Sequence, residues 1–152
     1  TDYLFEPVKQ LLTSKNISYI EENYLKEVIT LVKERCALIS DFYEQAAYFF
    51  IAPETIDTDA VKPKWNDQKR VFFEKYALQL QNLEDWNVAS IENVFKNLAA
   101  EMAIKPGELQ LPMRIMLVGA KYGPAVFEIA HLIGKENTIN RIHTAIPKIE
   151  TP

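Results

Sequence analysis

Residues 87–102, which read NVASIENVFKNLAAEM, decide the fold class of this chain. Their apolar side chains recur at intervals of three and four residues and share one face of a helix: Val88, Ile91, Phe95, Leu98 and Met102. Asn87 stands directly before the first of them, where the N-cap of a helix is expected. The stretch therefore predicts an amphipathic α-helix that buries its apolar face.

Similar periodicity continues on both sides of this stretch. It predicts further helices over about 2–14, 20–35, 37–51, 68–84, 108–118, 124–133 and 135–144. Asp67 is the expected N-cap of the helix that follows it, Gly119 is expected just past the end of another, and Pro124 is expected to be the first residue of the next. Pro147 is expected to close the fold.

Glycine usage supports a fold without sheets. All four glycines lie between Gly107 and Gly134, and residues 1–106 contain none. Strands joined by tight hairpins favour Asn-Gly or Asp-Gly turns, and the sequence contains neither pair. The sequence therefore predicts an all-α protein of about eight helices.

Charge divides the chain into two parts. The 152 residues carry a net charge of −4, and the apolar (48%) and charged (25%) fractions are typical of globular domains rather than disordered chains. Residues 1–85 contain 10 basic and 15 acidic side chains, whereas residues 86–152 contain 7 and 6. This asymmetry predicts a boundary near Asp85 between two lobes, 1–85 and 86–152. Residues 52–67 are expected to form a loop or insertion in the first subdomain, its end held by Trp65.

The sequence also predicts a compartment. Cys36 is the only cysteine, which excludes an internal disulfide and favours a reducing environment. No apolar run approaches the roughly 18 residues of a membrane span, and the first residues do not form a signal peptide. We therefore expect a cytoplasmic protein with no membrane partner. The chain starts with Thr1 instead of Met, which indicates a piece of a longer protein.

Residue patterns for catalysis or metal binding are scarce. His131, His143 and one cysteine do not make a zinc site, and no phosphate-binding or dinucleotide-binding motif occurs. Cys36 follows Arg35, which could activate a thiol, but a lone cysteine at the end of an apolar helix is more often simply buried. The residues therefore predict a binding module without catalytic or metal-binding residues.

One segment has the composition of a nucleic-acid site. Residues 105–141 contain every glycine and five basic against three acidic side chains. Within it, GAKYGP at 119–124 presents Lys121 and Tyr122 beside the start of a helix, where free N–H groups bind anions. Lys121 could reach a phosphate and Tyr122 could stack on an unpaired base. The alternative is that Gly119 and Gly123 only cap helices and that Tyr122 covers the core.

Several ordered motifs resemble the C-terminal region of bacterial glutamyl-tRNA synthetases. Downstream they are LPMRIMLVG at 111–119, Gly123-Pro124, Phe127-Glu128, LIGKE at 132–136 and Arg141-Ile142. Upstream they are YLK at 24–26, LVKER at 31–35, YFF at 48–50, LAAE at 98–101 and KPG at 105–107. The resemblance covers nearly the whole chain and is weakest over 52–67 and after 144.

The resemblance implies an anticodon-binding domain built of two helical subdomains, with the anticodon stem-loop of glutamate tRNA as its partner. By position, Arg35 and Arg114 match two arginines that contact the anticodon. Gly123, Pro124 and Val126 match the loop and first helical turn that touch anticodon bases, although Gly123 stands where the family often has Thr. The alternatives are a structural salt bridge under the loop for Arg114 and a helix-dipole partner for Arg35.

The resemblance also implies a parent enzyme that uses ATP and Mg²⁺ to attach glutamate to tRNA. The N-terminal catalytic domain of that parent, a second expected partner, is absent from these 152 residues. We therefore expect this fragment to have no cofactor and no aminoacylation activity, and to supply specificity and part of the tRNA affinity.

Two other functions remain open. A helix-turn-helix DNA-binding domain would place residues 124–133 in a major groove, but Glu128 is the only acidic or basic side chain apart from His131 there, so we expect no DNA partner. The second alternative is a purely structural or protein-interaction domain. The sequence leaves open whether the parent charges glutamine tRNA, its oligomeric state and the role of residues 52–67.

Overall fold

The computed structural model describes residues 2–18 and 20–152, and these contain α-helices and short 3₁₀ turns but no strand. The helices are α1 (Asp2–Ser14), α2 (Glu22–Val32), α3 (Asp41–Ala46), α4 (Asp67–Gln81), α5 (Val88–Glu101), α6 (Pro106–Val118), α7 (Val126–Ile133) and α8 (Lys135–Glu150). The predicted all-α class with about eight helices is confirmed. None of the helices in this described part has both the length and the apolar character needed to cross a bilayer.

Side-chain caps fix where the best-defined helices begin. The Asn87 side chain accepts a hydrogen bond from the Ser90 N–H at 2.8 Å, as predicted for the start of α5. In α4 the cap is Asn66, not Asp67, because Asn66 has extended backbone and accepts from the Lys69 N–H at 2.9 Å. Asp67 is instead the first helical residue, where its negative charge favours the helix dipole.

Prolines mark helix boundaries less strictly than predicted. α6 already begins at Pro106, and α7 begins at Val126, two residues after Pro124. α8 continues through Pro147 to Glu150 instead of ending near residue 144. The buried residues Ala145, Ile146 and Ile149 hold this last part of α8 in place, which offsets the backbone hydrogen bond that Pro147 cannot make.

The second and third helices are shorter than predicted. The Glu21 carboxylate accepts from the Asn23 and Tyr24 N–H groups, which sets the start of α2 at Glu22. The Asp41 carboxylate accepts from the Ala37 and Leu38 N–H groups at 3.0 and 2.9 Å. These two bonds keep residues 37–40 outside a helix, so α3 starts at Asp41.

The chain divides into two compact units, Thr1–Ala52 with α1–α3 and Pro53–Pro152 with α4–α8. The division expected near Asp85 does not coincide with this boundary, because α4 lies before Asp85 yet packs on α5 and α8. Apolar packing sets the units, and the change in net charge falls inside the second one.

Each unit has its own core. In the first unit the fully buried side chains come from α1, α2 and the end of α3, namely Val8, Leu12, Leu25, Val28, Ile29, Val32 and Ala46. In the second unit Phe72, Tyr76 and Phe127 surround Phe95 with ring centroids 5.1–5.4 Å away and nearly perpendicular planes. Because Phe127 belongs to the first turn of α7, this aromatic cluster fixes the helix that follows residues 119–125.

Candidate nucleic-acid interface

Residues 119–125 join α6 to α7, and Gly119 begins this loop. Its φ of +88° lies in the left-handed region, and its N–H donates to Ile115 O at 2.9 Å, so it ends α6 as predicted. A Cβ at this position would lie 2.9 Å from Pro53 Cβ and 3.0 Å from Thr55 O. Both the positive φ and the close approach of residues 53–55 therefore require glycine at this position.

Arg114 holds the loop from α6. Its Nη1 donates to Pro124 O at 2.7 Å and to Tyr122 O at 3.2 Å, and the side chain is half-buried. The structural role considered for this arginine is thus present, and two loop carbonyls are among its partners. Contact between Arg114 and a ligand stays a prediction.

The loop presents few side chains to solvent. Lys121 and Ala125 are exposed, Tyr122 is half-buried, and Pro124 and Val126 are buried. The structure therefore brings Arg114, Tyr122 and Pro124 together and leaves Lys121 as the accessible cation of the loop. At Pro124 and Val126 a ligand would meet backbone rather than side chain. The sequence did not indicate that Ala125 would be an exposed residue of this loop, because a small apolar side chain has no distinctive pattern.

Two basic residues counted in the 105–141 segment serve the fold instead. Lys135 Nζ donates to Gln81 O and Leu83 O, so a cation caps the C-terminal end of α4. Arg141 is 6% exposed and donates from Nη1 to Leu117 O at 2.7 Å. The basic surface of this segment is therefore smaller than its charge count suggested.

Arg35 lies in the first unit, whereas the other predicted site residues lie in the second. It is exposed and ends a 3₁₀ turn, Lys33–Arg35, that directly follows α2. This position suits the helix-dipole role, and the exposed guanidinium is also accessible to a ligand.

Cys36 beside Arg35 has the character of a structural thiol. Burial, together with the negative charge of Asp41, raises its pKa above the ordinary cysteine value. Its thiol donates a hydrogen bond to Val32 O, with 3.6 Å between Sγ and the oxygen. The raised pKa argues against activation by Arg35, whereas the side chain is half-buried and not fully buried as the alternative expected. Within residues 2–18 and 20–152, no group of three or more His, Cys, Asp or Glu side chains is placed to hold a metal ion.

Residues 53–65 contact the start of the loop and the end of α8. The Asp57 N–H donates to Gly119 O at 2.8 Å, and Lys148 Nζ donates to Glu54 O at 3.0 Å. At the other end, Trp65 Nε1 donates to Glu150 Oε2 at 3.0 Å, which agrees with the expected anchoring role of Trp65. Sequence reasoning missed the contact with Gly119 because it joins residues more than sixty positions apart.

The helix-turn-helix alternative has no support in this structure. α7 buries five of its eight residues: Val126, Phe127, Ile129, Ala130 and Ile133. A recognition helix needs polar side chains free to reach base edges in a major groove. α7 therefore serves the core of the second unit rather than a DNA groove.

Comparison with known proteins gives consistent matches over nearly the whole chain. The glutamate–tRNA ligase of Flavobacterium psychrophilum is 36% identical over 143 residues, which are 94% of this chain and 28% of that protein. The glutamate–tRNA ligase of Christiangramia forsetii is 30% identical over 149 residues, 98% of this chain and 29% of that protein. The chain thus spans less than a third of the length of these curated relatives.

Solved structures agree with the sequence relatives. A glutamate tRNA ligase from Elizabethkingia meningosepticum, crystallised with its amino acid, matches with a TM-score of 0.88 at 30% identity, over 98% of this chain and 29% of that one. The glutamate-tRNA synthetase of Elizabethkingia anophelis matches with a TM-score of 0.82 at 29% identity, over 96% and 28%. The resemblance inferred from the sequence motifs is confirmed. Because the model of the anticodon binding domain matches residues 3–146, this chain belongs to the anticodon binding domain family.

Proposed function

We propose that this chain is the C-terminal, anticodon-binding part of a glutamate–tRNA ligase and that it recognises the anticodon stem-loop of glutamate tRNA. The observation that carries the proposal is the pair of hydrogen bonds from Arg114 to Tyr122 O and Pro124 O. They fix the 119–125 loop in one conformation with Lys121 exposed at its tip. A preordered loop binds an RNA loop with less loss of conformational entropy than a flexible one.

The residues of the loop have chemistry suited to unpaired RNA. Lys121 would contact a phosphate, and the half-buried ring of Tyr122 would stack on a base. Gly123 leaves the backbone open to close approach, and Pro124 and Val126 fix the turn beneath it. Arg114 acts mainly by holding the loop. In the first unit, the exposed planar guanidinium of Arg35 is suited by itself to contact RNA.

The catalytic step belongs to the rest of the proposed parent ligase. The two curated relatives are glutamate–tRNA ligases more than three times as long as the region that this chain matches. We assign ATP and Mg²⁺ to the catalytic domain of that parent, which would be the second partner of this chain, in the cytoplasm. The 152 residues alone would bind tRNA without aminoacylating it.

Binding to matched nucleic acids tests this proposal. The 152-residue chain should bind an RNA stem-loop carrying a glutamate anticodon, with an affinity that falls as salt rises. It should bind a DNA hairpin of the same sequence about tenfold more weakly or worse, because DNA lacks the 2′-hydroxyl. Equal binding to RNA and DNA would indicate generic electrostatic attraction. No binding to either would favour a structural or protein-interaction domain.

A further inference from the structure

The segment 53–57, here called the buttress, makes its closest contact with the first residue of the candidate RNA-binding loop. Gly119 O accepts from the Asp57 N–H at 2.8 Å. Pro53 Cβ and Thr55 O would lie only 2.9 and 3.0 Å from a Cβ at Gly119. The missing side chain of Gly119 is therefore what lets the buttress approach so closely.

The buttress is also tied to α8. Lys148 Nζ donates to Glu54 O at 3.0 Å, next to the contact with Gly119. The later part of the segment has separate anchors, since Lys62 Nζ donates to Thr151 O at 2.7 Å and Trp65 Nε1 to Glu150 Oε2 at 3.0 Å. The contact of Lys148 with the buttress can thus be removed by mutation without removing the contacts of Lys62 and Trp65 at the far end of the segment.

The loop has supports at its beginning, Gly119, and at residues 122–124. Arg114 donates to the carbonyls of Tyr122 and Pro124, and the buttress binds the carbonyl of Gly119. Without the buttress, the loop would keep its support at residues 122–124 but lose the contact that fixes where it leaves α6. The direction of Lys121, which lies between these two supports, would then be less restricted.

We propose that the buttress is a positioning element that sets the conformation of residues 119–122 for RNA, and that Gly119 is its required contact residue. The RNA-binding part of this inference rests on the proposed function. The effect of the buttress on the conformation of the loop does not depend on any ligand. It assigns a role to the 52–67 segment, which the sequence left open.

Two alanine variants at left-handed glycines test the proposal. Gly119→Ala introduces a Cβ that collides with Pro53 and Thr55. Gly134→Ala is the matched control, because Gly134 has a similar φ of +90° but its Cβ would meet no atom within 4 Å. Both variants carry backbone strain, and the strain is greater at Gly134, where ψ is 164° instead of −4°. A larger effect of Gly119→Ala on the loop would therefore come from the collision with the buttress and not from the backbone.

Hydrogen exchange, NMR order parameters and RNA affinity supply the readouts, at a temperature where both variants remain folded by circular dichroism. In Gly119→Ala, amide exchange at Asp57, whose N–H donates to Gly119 O, should accelerate by about tenfold or more, as expected for a local opening. The NMR order parameters of residues 120–122 should fall as the loop loosens. The affinity of this variant for the glutamate anticodon stem-loop should fall by about tenfold. Gly134→Ala should stay within about twofold of the native chain in exchange and in affinity.

Lys148→Met keeps the test decisive if Gly119→Ala does not fold. It removes the Lys148 contact with Glu54 O and should loosen residues 54–57 and 120–122, whereas Lys62→Met should loosen only the far end. If exchange at Asp57 and the order parameters of residues 120–122 are the same in Gly119→Ala, Lys148→Met and their controls, the buttress does not position the loop. If the native chain does not prefer the glutamate stem-loop, the proposed function fails, and the exchange rates and order parameters still decide the positioning claim.

Discussion

Arg114 supports the loop with the same group that could recognise a ligand. Its guanidinium donates to two loop carbonyls, and hydrogen bonds from a charged donor contribute more than neutral ones. A planar fork of donors can serve a fold and an RNA surface at once, so stability and affinity must be measured separately for this residue.

Replacing Arg114 with Met should destabilise the second unit by about 2 kcal/mol, because two loop carbonyls lose their charged donor. Urea denaturation followed by circular dichroism measures this change. Arg114→Lys should recover part of the loss, since a lysine keeps the charge but not the fork. A variant that loses RNA affinity at unchanged stability would show that Arg114 acts on RNA and not on the loop.

Lys121 should show the opposite pattern. Lys121→Ala removes an exposed cation, so stability should change by less than about 0.5 kcal/mol. RNA affinity should fall, and the slope of log affinity against log salt should decrease by about one for the lost phosphate contact. Lys75→Ala, at an exposed position of α4, is the control with the same charge change. If both variants bind alike, Lys121 has no specific contact.

Single-residue chemistry was predictable where it depends on local sequence. The motif at residues 119–124 predicted a link between two helices that presents Lys121, and the structure has this link with Lys121 exposed. The RNA-binding roles of Lys121, Tyr122 and Arg114 stay predictions. The partners of Lys135 and Arg141 were not predictable, because Leu83 and Leu117 lie 52 and 24 residues away. Such contacts appear only when the helices pack, so both residues were counted as surface charge.

Helix boundaries show the same division between local and long-range causes. The start of α5 was predicted because Asn87 and Ser90 are three residues apart. The end of α8 was not, because the burial of Ala145, Ile146 and Ile149 overrides the tendency of Pro147 to end a helix.

The end of α4 offers a prediction about packing between elements. Lys135 on α8 caps the carbonyls of Gln81 and Leu83. Lys135→Met should therefore lower the free energy of unfolding by about 1–2 kcal/mol while RNA affinity stays unchanged. Lys75→Met should leave stability within about 0.5 kcal/mol. Weaker RNA binding by folded Lys135→Met would return this residue to the candidate interface.

The whole chain combines two cores, and the boundary between them follows packing instead of charge. Residues 53–85 carry an acidic excess like the first unit but belong to the second by their contacts. The change in charge near Asp85 and the packing boundary at Ala52 and Pro53 therefore describe different divisions of the chain. Net charge describes a surface, whereas apolar burial decides which helices fold together.

The buried core of the second unit predicts how stability depends on pH. Burial, with the nearby Glu92 carboxylate, raises the pKa of Tyr76 well above its ordinary value, and its hydroxyl donates to Ile91 O at 3.0 Å. Because the folded pKa is raised, this contribution is present below the unfolded value of about 10 and is lost above it. Above about pH 10, the contribution of Tyr76 should lower the free energy of unfolding by about 1.4 kcal/mol per pH unit.

Urea denaturation between about pH 8 and pH 11 measures this dependence, with Tyr76→Phe as the control. The variant should be less stable by about 1 kcal/mol at pH 8, because it lacks the hydrogen bond. Above about pH 10, the variant should also lose less of its free energy of unfolding than the native chain does. Parallel curves for the two proteins would mean that Tyr76 is not shielded from solvent in the folded chain.

A chain that recognises the anticodon of glutamate tRNA should distinguish tRNAs that differ only in their anticodons. The most direct measurement is competition between labelled glutamate tRNA and unlabelled transcripts that differ from it only in the three anticodon nucleotides. We predict that the altered transcripts compete about tenfold more weakly than unlabelled glutamate tRNA, a difference of about 1.4 kcal/mol. Equal competition by all transcripts would contradict the claim.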